Sequence, residues 1–214
     1  VEDMVLYRDS RFFSSFPSIL TLKNGDLCLF FRRARDVRRI LPSPLPEKFH
    51  YLRTDLDHVD SRSEISMIRY NSGLTPYGKV EGLPVNIEAG DQDPSLIELE
   101  DGTIIMASFS WFPFSAEFME PVGAYRNPML GNPEKPCTLY IFWGSYTRYS
   151  NNSAKTWTEH NYLPVIPDFP PIIPYRRPYH GGPVRGSMVE CNNEVLLPTY
   201  TTQHSDCRLT CVQE

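Results

Sequence analysis

The sequence predicts an all-β fold in which antiparallel sheets of similar design follow one another along the chain. Three observations lead to this prediction: a segment that recurs three times, tight-turn residues inside each copy, and almost no apolar periodicity of the helical kind. Aromatic residues make up 13% of the 214-residue chain, which also favours strands.

Each copy of the repeat is an apolar run, a polar turn and a second apolar run. The copies are PSILTLKNGDLCLFF at 17–31, PSLIELEDGTIIMASF at 94–109 and GSMVECNNEVLLPTY at 186–200. Aligned without gaps, they place Ser18, Ser95 and Ser187 at one position. Lys-Asn-Gly and Glu-Asp-Gly are good hairpin turns because Asn, Asp and Gly tolerate positive φ. Glu194 replaces the glycine in the third copy, which indicates another turn type there.

More strand-like sequence follows each hairpin. The further runs are EISMIRY at 64–70, GLPV at 82–85, CTLYIFWGSYTRYS at 137–150 and TWTEHNYLPV at 156–165. The predicted unit is therefore four antiparallel strands, with long insertions at 34–63 and 112–136 and one helical turn expected near 112–120. Four-stranded sheets in series are typical of a β-propeller, with a β-sandwich as the alternative.

The repeat divides the chain into about two and a half to three sheets, or blades. The predicted boundaries within 1–214 are about 12–85, 91–165 and 183–214, the last blade being incomplete. Because a partial ring leaves strand edges unpaired, we expect the remaining blades to come from the rest of a longer chain or from an oligomer.

Composition excludes several classes of protein. The net charge of −5 argues against a nucleic-acid partner, because phosphate contacts need clustered Lys and Arg. The one basic run, RRARDVRR at 32–39, is either a solvated loop or an anion-facing site.

No apolar run approaches the ~20 residues of a membrane span. The five cysteines lack CxxC spacing, which argues against a zinc site. No metal motif is visible and no cofactor is predicted, with calcium bound by loop carboxylates left as an open alternative.

The stretch SNNSAKTW at 150–157 resembles the Asp-box of the sialidase superfamily, a turn of the form Ser-x-Asp-x-Gly-x-Thr-Trp. Ser150, Thr156 and Trp157 match, while Asn152 stands where Asp is usual and Ala154 where Gly is usual. We expect Asn152 to cap the turn by hydrogen-bonding backbone N–H groups, and Trp157 to pack between strands. The resemblance implies a folding device on the outer rim, so the match concerns the fold rather than the chemistry.

Two longer segments strengthen this resemblance. The run SSFPSILTLKNGDLCLFFRRAR at 14–35 is similar to the sialidase opening, in which a Phe/Tyr-Arg-Ile-Pro motif precedes a strand, a turn and a second strand. The run GGPVRGSMVECNNEVLLPTY at 181–200 resembles a later segment of the family. The resemblance implies a six-bladed propeller, of which this chain is the N-terminal part. It also implies a glycoside hydrolase acting on a terminal sugar of a glycan.

The resemblance carries an acid/base residue onto this chain. The family's Asp lies four residues before the Glu that opens the third strand, and the corresponding pair here is Asp60 and Glu64. Asp55 and Asp57 are neighbouring loop acids, so Asp60 could equally be one loop acid among several. The nucleophilic Tyr and its Glu belong to later blades, so no nucleophile is named in this chain.

The resemblance also implies cations for the substrate. The first arginine of the family's carboxylate-binding triad falls at Ser15, so the sugar need not be sialic acid. The second-strand arginine falls near Ala34, and its neighbours Arg33 and Arg35 are the candidates for it, with a solvated loop as the equal alternative.

Position in the repeat gives three further candidates. Residues just before each first strand, at 15–16, 92–93 and 184–185, should line the central mouth of a propeller. Asp93 and Arg185 are therefore substrate-binding candidates, with turn capping and inter-blade pairing as their structural alternatives. His180 lies on the same approach, where a structural role is the alternative.

The predicted function is thus that of a glycosidase with a carbohydrate partner. The alternatives are a propeller that binds carbohydrate without catalysis and a propeller whose face binds a protein. The cysteines leave the compartment open, and a secreted or periplasmic location is slightly favoured over a cytoplasmic one.

Overall fold

The computed structural model describes residues 3–35, 63–85, 89–115, 117, 129–130, 138–164, 183–201 and 210–212. These residues form an all-β structure of antiparallel sheets without an α-helix. No helix of theirs is long and apolar enough to cross a membrane.

The first sheet contains four strands in the order β1-β2-β3-β4. They span Phe12–Thr21, Leu27–Arg35, Glu64–Tyr70 and Pro76–Gly82. The third strand coincides with the predicted EISMIRY run. The fourth begins six residues earlier than predicted, because the chain turns at 71–74 and Pro76 then pairs directly with Tyr70.

The second sheet is built around two long strands. Its strands β5 to β10 span Gly90–Asp91, Ser95–Glu98, Ile104–Ser115, Met129–Leu130, Thr138–Ser150 and Asn161–Tyr162. The first strand of this sheet is divided into two parts, β5 and β6, and both parts pair with β7. The helical turn predicted near 112–120 does not include 112–115, because β7 continues to Ser115 by pairing with β9, whereas Glu117 has a 3-10 conformation.

The third repeat forms two short hairpins. Its strands β11 to β14 span Val189–Cys191, Glu194–Leu196, Thr199–Thr201 and Thr210–Val212. Cys191 pairs with Glu194, and the two residues between them, Asn192 and Asn193, have φ of 53° and 64°. Two successive positive φ values are typical of a type I′ turn, so the prediction of another turn type is confirmed. The ungapped alignment is wrong here, since this turn is one residue shorter than the other two.

The turns of the first two repeats have the same construction. Gly25 and Gly102 both have φ of +87°, where a Cβ would be strained. The side chains of Asn24 and Asp101 each accept a hydrogen bond from the backbone N–H two residues further on, at 3.0 and 2.8 Å. The hairpin turns predicted from Asn-Gly and Asp-Gly are therefore confirmed.

Apolar contacts join each sheet to the next. One buried cluster combines Leu20, Cys28, Phe30, Ile65 and Met67 of the first sheet with Ile104, Met106 and Tyr146 of the second. A second cluster combines Ile105, Ala107 and Phe109 of the second sheet with Val184 and Met188 of the third repeat. The second sheet is therefore covered on both faces, as burial of apolar area requires.

A hydrogen bond between successive repeats occurs twice at equivalent positions. The Glu98 carboxylate accepts from the backbone N–H of Lys23 at 2.9 Å. The Glu190 carboxylate accepts from the backbone N–H of Glu100 at 3.2 Å. Because Lys23 and Glu100 occupy one repeat position, as do Glu98 and Glu190, the second step from sheet to sheet reproduces the first.

The stretch SNNSAKTW forms a compact turn after β9. The Asn152 side chain accepts from the backbone N–H of Thr156 at 2.9 Å, and the Ser150 hydroxyl accepts from that of Ala154 at 3.0 Å. Ala154 has φ of +61°, a conformation that suits the glycine usual at this position. Trp157 packs edge-to-face on Phe30 of the first sheet, with ring centroids 5.9 Å apart. The predicted Asn cap and the packing role of Trp157 are confirmed.

Candidate functional site

A cavity lies where the first strands of the three repeats come together. Its volume is about 400 Å³, within the range of small-ligand sites. It is lined by residues 16–19, 93–96 and 184–187, so each repeat contributes one stretch of four residues. The first strands of the three repeats therefore border one shared opening.

Three chemically different residues line the cavity from one position of the repeat. Phe16, Asp93 and Arg185 each stand two residues before the recurrent serine of their copy, and all three line the cavity. One repeat position thus supplies an aromatic ring, a carboxylate and a guanidinium to one space. Such a mixture of an apolar surface with a few polar groups is typical of ligand sites.

Irregular backbone brings these side chains to the cavity. In β1, Ser15 pairs with Arg32 and Ser18 with Phe30, so Phe16 and Pro17 together oppose a single residue. The break between β5 and β6 is similar: the three residues 92–94 lie opposite the two residues 108–109. An extra residue in one strand bends it and redirects its side chains.

Phe16 has an uncommon backbone conformation. Its φ is 53°, in the left-handed region that bulky residues avoid because Cβ approaches a carbonyl oxygen. This conformation costs roughly 1–2 kcal/mol for a residue other than glycine. Backbone strain of this kind is concentrated at functional sites, which makes Phe16 notable among the residues that line the cavity.

Asp93 and Arg185 form an ion pair at the cavity. Arg185 Nη2 donates to Asp93 Oδ2 at 2.9 Å, and the side chains are 62% and 16% exposed, respectively. Among the described residues that line the cavity, Arg185 is the one cation and Asp93 is the one anion. Their charges balance, so the cavity wall as described is close to electrically neutral.

The recurrent serines complete the polar surface. Ser18, Ser95 and Ser187 all line the cavity. The Ser95 hydroxyl donates to the Gly186 carbonyl at 2.6 Å, which fixes the second repeat against the third. Sequence reasoning found this recurrence but assigned no site role to it.

Arg33 and Arg35 do not line the cavity. Arg33 Nε and Nη2 donate to Glu64 Oε1 at 3.0 and 2.5 Å, and its guanidinium lies 4.3 Å from the centroid of the Phe12 ring. Arg35 is exposed at the end of β2. That Arg33 and Arg35 contact the substrate stays a prediction.

Arg32 is a cation that sequence reasoning did not select. It is fully buried, with 0% exposure. Side chains alternate along a strand, so Arg32 shares a face with Cys28 and Phe30, which pack against the second sheet. Buried charges are normally paired and hydrogen-bonded, so Arg32 has a defined place in this interface. Strand alternation was the signal available in the sequence.

A buried polar group lies two residues before Asp93. The Asp91 side chain is 1% exposed; its Oδ1 accepts from the Ser110 hydroxyl at 3.2 Å and lies 3.5 Å from Nε2 of His160. On the backbone, Ser63 Oγ donates to the Asp91 carbonyl at 2.6 Å, and Asp91 N donates to the Ser63 carbonyl at 3.2 Å. These two bonds tie the segment that leads to Asp93 to the residue just before β3.

Tyr146 lies beside this group in the core between the first and second sheets. Its ring contacts His160 at a centroid distance of 4.1 Å and it has no exposed surface. Burial, and secondly the negative charge of Asp91, raise the pKa of its hydroxyl well above the usual range. Desolvation disfavours the charged form of a hydroxyl, so Tyr146 stays neutral in this core.

Two predicted site residues lie outside the described residues. Asp60 precedes Ser63 by three residues, and His180 precedes the described segment 183–201 by three. Both stay predictions. In the part of the chain that the structure describes, no three His, Cys, Asp or Glu side chains are grouped to hold a metal ion.

The chain is similar in structure to several solved proteins. A protein of unknown function from Dyadobacter fermentans matches all of the chain with 28% identity and a TM-score of 0.75, over 54% of its own length. A family 117 glycoside hydrolase from Zobellia galactanivorans matches 96% of the chain at 13% identity and a TM-score of 0.55, over 52% of its length. The NanB sialidase from Streptococcus pneumoniae matches 99% at 9% identity and a TM-score of 0.50, over 46% of its length.

These likenesses concern the fold. The two glycoside hydrolases have propeller folds, and this chain has the all-β, antiparallel architecture that aligns with them. The chain spans about half the length of each protein. No protein-family model matches the sequence, and no curated protein matches it.

Proposed function

We propose that this chain is the N-terminal part of a propeller glycoside hydrolase that removes a terminal sugar from a glycan. The proposed ring has six blades, of which this chain supplies about 12–85, 91–165 and an incomplete third at 183–214. Support comes from the propeller glycosidases that align with the chain over about half their length. The hydrogen bonds that recur from repeat to repeat also suit a series of similar sheets.

The observation that carries this proposal is the cavity between the three first strands. It has the volume of a small-ligand site, and residues from three separate repeats line it. Asp93 and Arg185 suit the recognition of sugar hydroxyls, because a carboxylate accepts and a guanidinium donates charge-assisted hydrogen bonds.

We further propose that the sugar is neutral. A sialic acid carboxylate suits recognition by several guanidinium groups, and the first arginine of the family's triad is replaced by Ser15. The guanidinium of Arg185 is already paired with Asp93. A neutral sugar could hydrogen-bond to both groups while their ion pair stays intact, so that no charge is left unbalanced.

In this proposal Asp60 is the general acid and base. A carboxyl group that donates a proton near neutral pH needs a raised pKa and therefore a partly desolvated place. The bonded pair Ser63–Asp91 joins the chain just after Asp60 to the segment bearing Asp93. The nucleophile would come from later blades, by way of a glycosyl-enzyme intermediate.

Substitution of Asp60 tests the proposal. Turnover of nitrophenyl glycosides of neutral hexoses and of sialic acid is measured with the full-length protein, its Asp60→Asn variant and its Asp57→Asn variant. Because a positioned general acid contributes roughly 10²–10⁴-fold, we expect Asp60→Asn to lower kcat by that factor and Asp57→Asn to leave it unchanged. Undiminished turnover in Asp60→Asn would remove Asp60 from the mechanism.

A carbohydrate-binding propeller without catalysis is the second candidate. The observation that favours it is the loss of the triad arginine at Ser15, which is compatible with a scaffold that has kept its cavity but not its chemistry. Saturable binding of a sugar with no turnover of any glycoside would select this function over the first.

A further inference from the structure

The strain at Phe16 has no explanation in the fold alone. The residue occupies a bulge in which one position has positive φ, and glycine is the usual residue at such a position. Pro17 follows, and the residue before a proline normally has an extended backbone. A large aromatic side chain is thus held where both local preferences disfavour it.

The bulge has one clear geometric effect, which is to place Phe16 on the cavity. Phe16 is the aromatic member of the set whose other members are Asp93 and Arg185. A pyranose ring has an apolar face of C–H groups and an edge of hydroxyl groups. An aromatic ring suits the face, whereas a carboxylate and a guanidinium suit the edge.

We propose that Phe16 is a specificity-determining residue whose ring stacks on the apolar face of the sugar in this cavity. The proposal rests on the proposed function and adds to it the surface that recognises the ring of the sugar. The left-handed backbone at Phe16 is the conformation that presents this side chain to the ligand.

The test compares stability and binding in the same variants of the full-length protein. Phe16→Gly removes both the ring and the strain, while Phe16→Tyr keeps the aromatic face. Leu74→Gly is the matched control, since Leu74 also has positive φ, of 58°, but lies in the 71–74 turn outside the cavity. KM and kcat are measured with the neutral nitrophenyl glycoside that the wild-type protein hydrolyses fastest. The unfolding midpoint is measured by urea denaturation.

We expect the unfolding midpoint and KM to respond differently in these variants. Phe16→Gly and Leu74→Gly both keep or raise the unfolding midpoint, because glycine removes the strain at either site. Only Phe16→Gly raises KM, by roughly tenfold or more, since an aromatic contact and its buried area are lost. Phe16→Tyr stays within about threefold of the wild-type KM.

Three results would overturn the proposal. An unchanged KM in Phe16→Gly would show that the ring does not touch the sugar. A clearly lower unfolding midpoint in Phe16→Gly than in Leu74→Gly would make Phe16 a core residue rather than a strained one, since both variants gain the same flexibility in the unfolded chain. A wild-type protein that neither turns over nor binds any sugar would reject the proposed function itself, which distinguishes that failure from the first two.

Discussion

At the scale of single residues, the candidate site depends on one repeat position that holds different chemistry in each copy. Phe16, Asp93 and Arg185 occupy equivalent places and line one cavity. In the second copy the serine that follows two residues later bonds the neighbouring repeat through the Gly186 carbonyl. The cavity-lining position also joins these two repeats, through the Asp93–Arg185 ion pair, but its side chain differs in each copy.

Replacement of Arg185 tests this view at the residue scale. In Arg185→Gln a charge-assisted hydrogen bond to the sugar is lost, so we expect KM to rise by about 10- to 100-fold. The unfolding midpoint should hardly change, because exposed ion pairs contribute only about 0–1 kcal/mol. Enzyme kinetics and urea unfolding measure the two effects.

Arg11→Gln is the control for Arg185→Gln. Arg11 also forms an exposed ion pair, with Asp9 at 2.7 Å, but it lies outside the cavity. Equal KM values in the two variants would contradict a ligand-binding role for Arg185.

At the scale of elements, the turn at 150–157 holds the end of the second sheet against the first. Asn152 accepts from the Thr156 backbone and donates to the Thr156 hydroxyl at 2.7 Å. This turn places Trp157 on Phe30, which is fully buried. Loss of the cap should therefore loosen a contact between sheets as well as a loop.

Asn152→Ala tests the cap, with Asn152→Asp as its matched control. We expect Asn152→Ala to lower the free energy of unfolding by about 1–2 kcal/mol, because the backbone N–H of Thr156 loses its acceptor and the Thr156 hydroxyl loses its donor. Asn152→Asp keeps an acceptor oxygen and should remain near wild type. Urea unfolding followed by Trp fluorescence measures both; equal losses in the two variants would contradict the capping role.

The elements that local chemistry determines could be predicted from the sequence. Glu64–Tyr70 was predicted to the residue, and the turns at Gly25 and Gly102 follow from their Asn-Gly and Asp-Gly pairs. The start of the fourth strand and the extension of β7 to Ser115 could not be predicted. Both depend on pairing with a distant strand, and pairing there overrides the Pro and turn signals of the local sequence.

At the scale of the whole molecule, the sequence predicted which residues line the cavity, but it did not predict the buried Arg32 between the first two sheets. The positions before each first strand were expected to converge, and Phe16, Asp93 and Arg185 do line one cavity. Arg32 was missed because a contiguous run of arginines hides which of them faces the adjacent sheet. Alternation from Cys28 and Phe30 separates Arg32 from Arg33, and the strand register places Arg32 between Ser15 and Ile65.

The repeated contacts also explain how distant parts of the chain are brought to one opening. The Glu98–Lys23 and Glu190–Glu100 hydrogen bonds join successive repeats at equivalent positions. Apolar clusters fill the spaces between the same sheets. Each step therefore orients the next first strand in a similar way, which is why three segments far apart in sequence share a cavity.

The most direct test of the account is the location of a bound sugar. Crystals of the full-length protein are soaked with the monosaccharide that its best glycoside releases, and the ligand is located by diffraction. The account predicts a sugar in the cavity, with its apolar face on Phe16 and its hydroxyls bonded to Asp93 and Arg185. A sugar bound elsewhere while this cavity stays empty would contradict it.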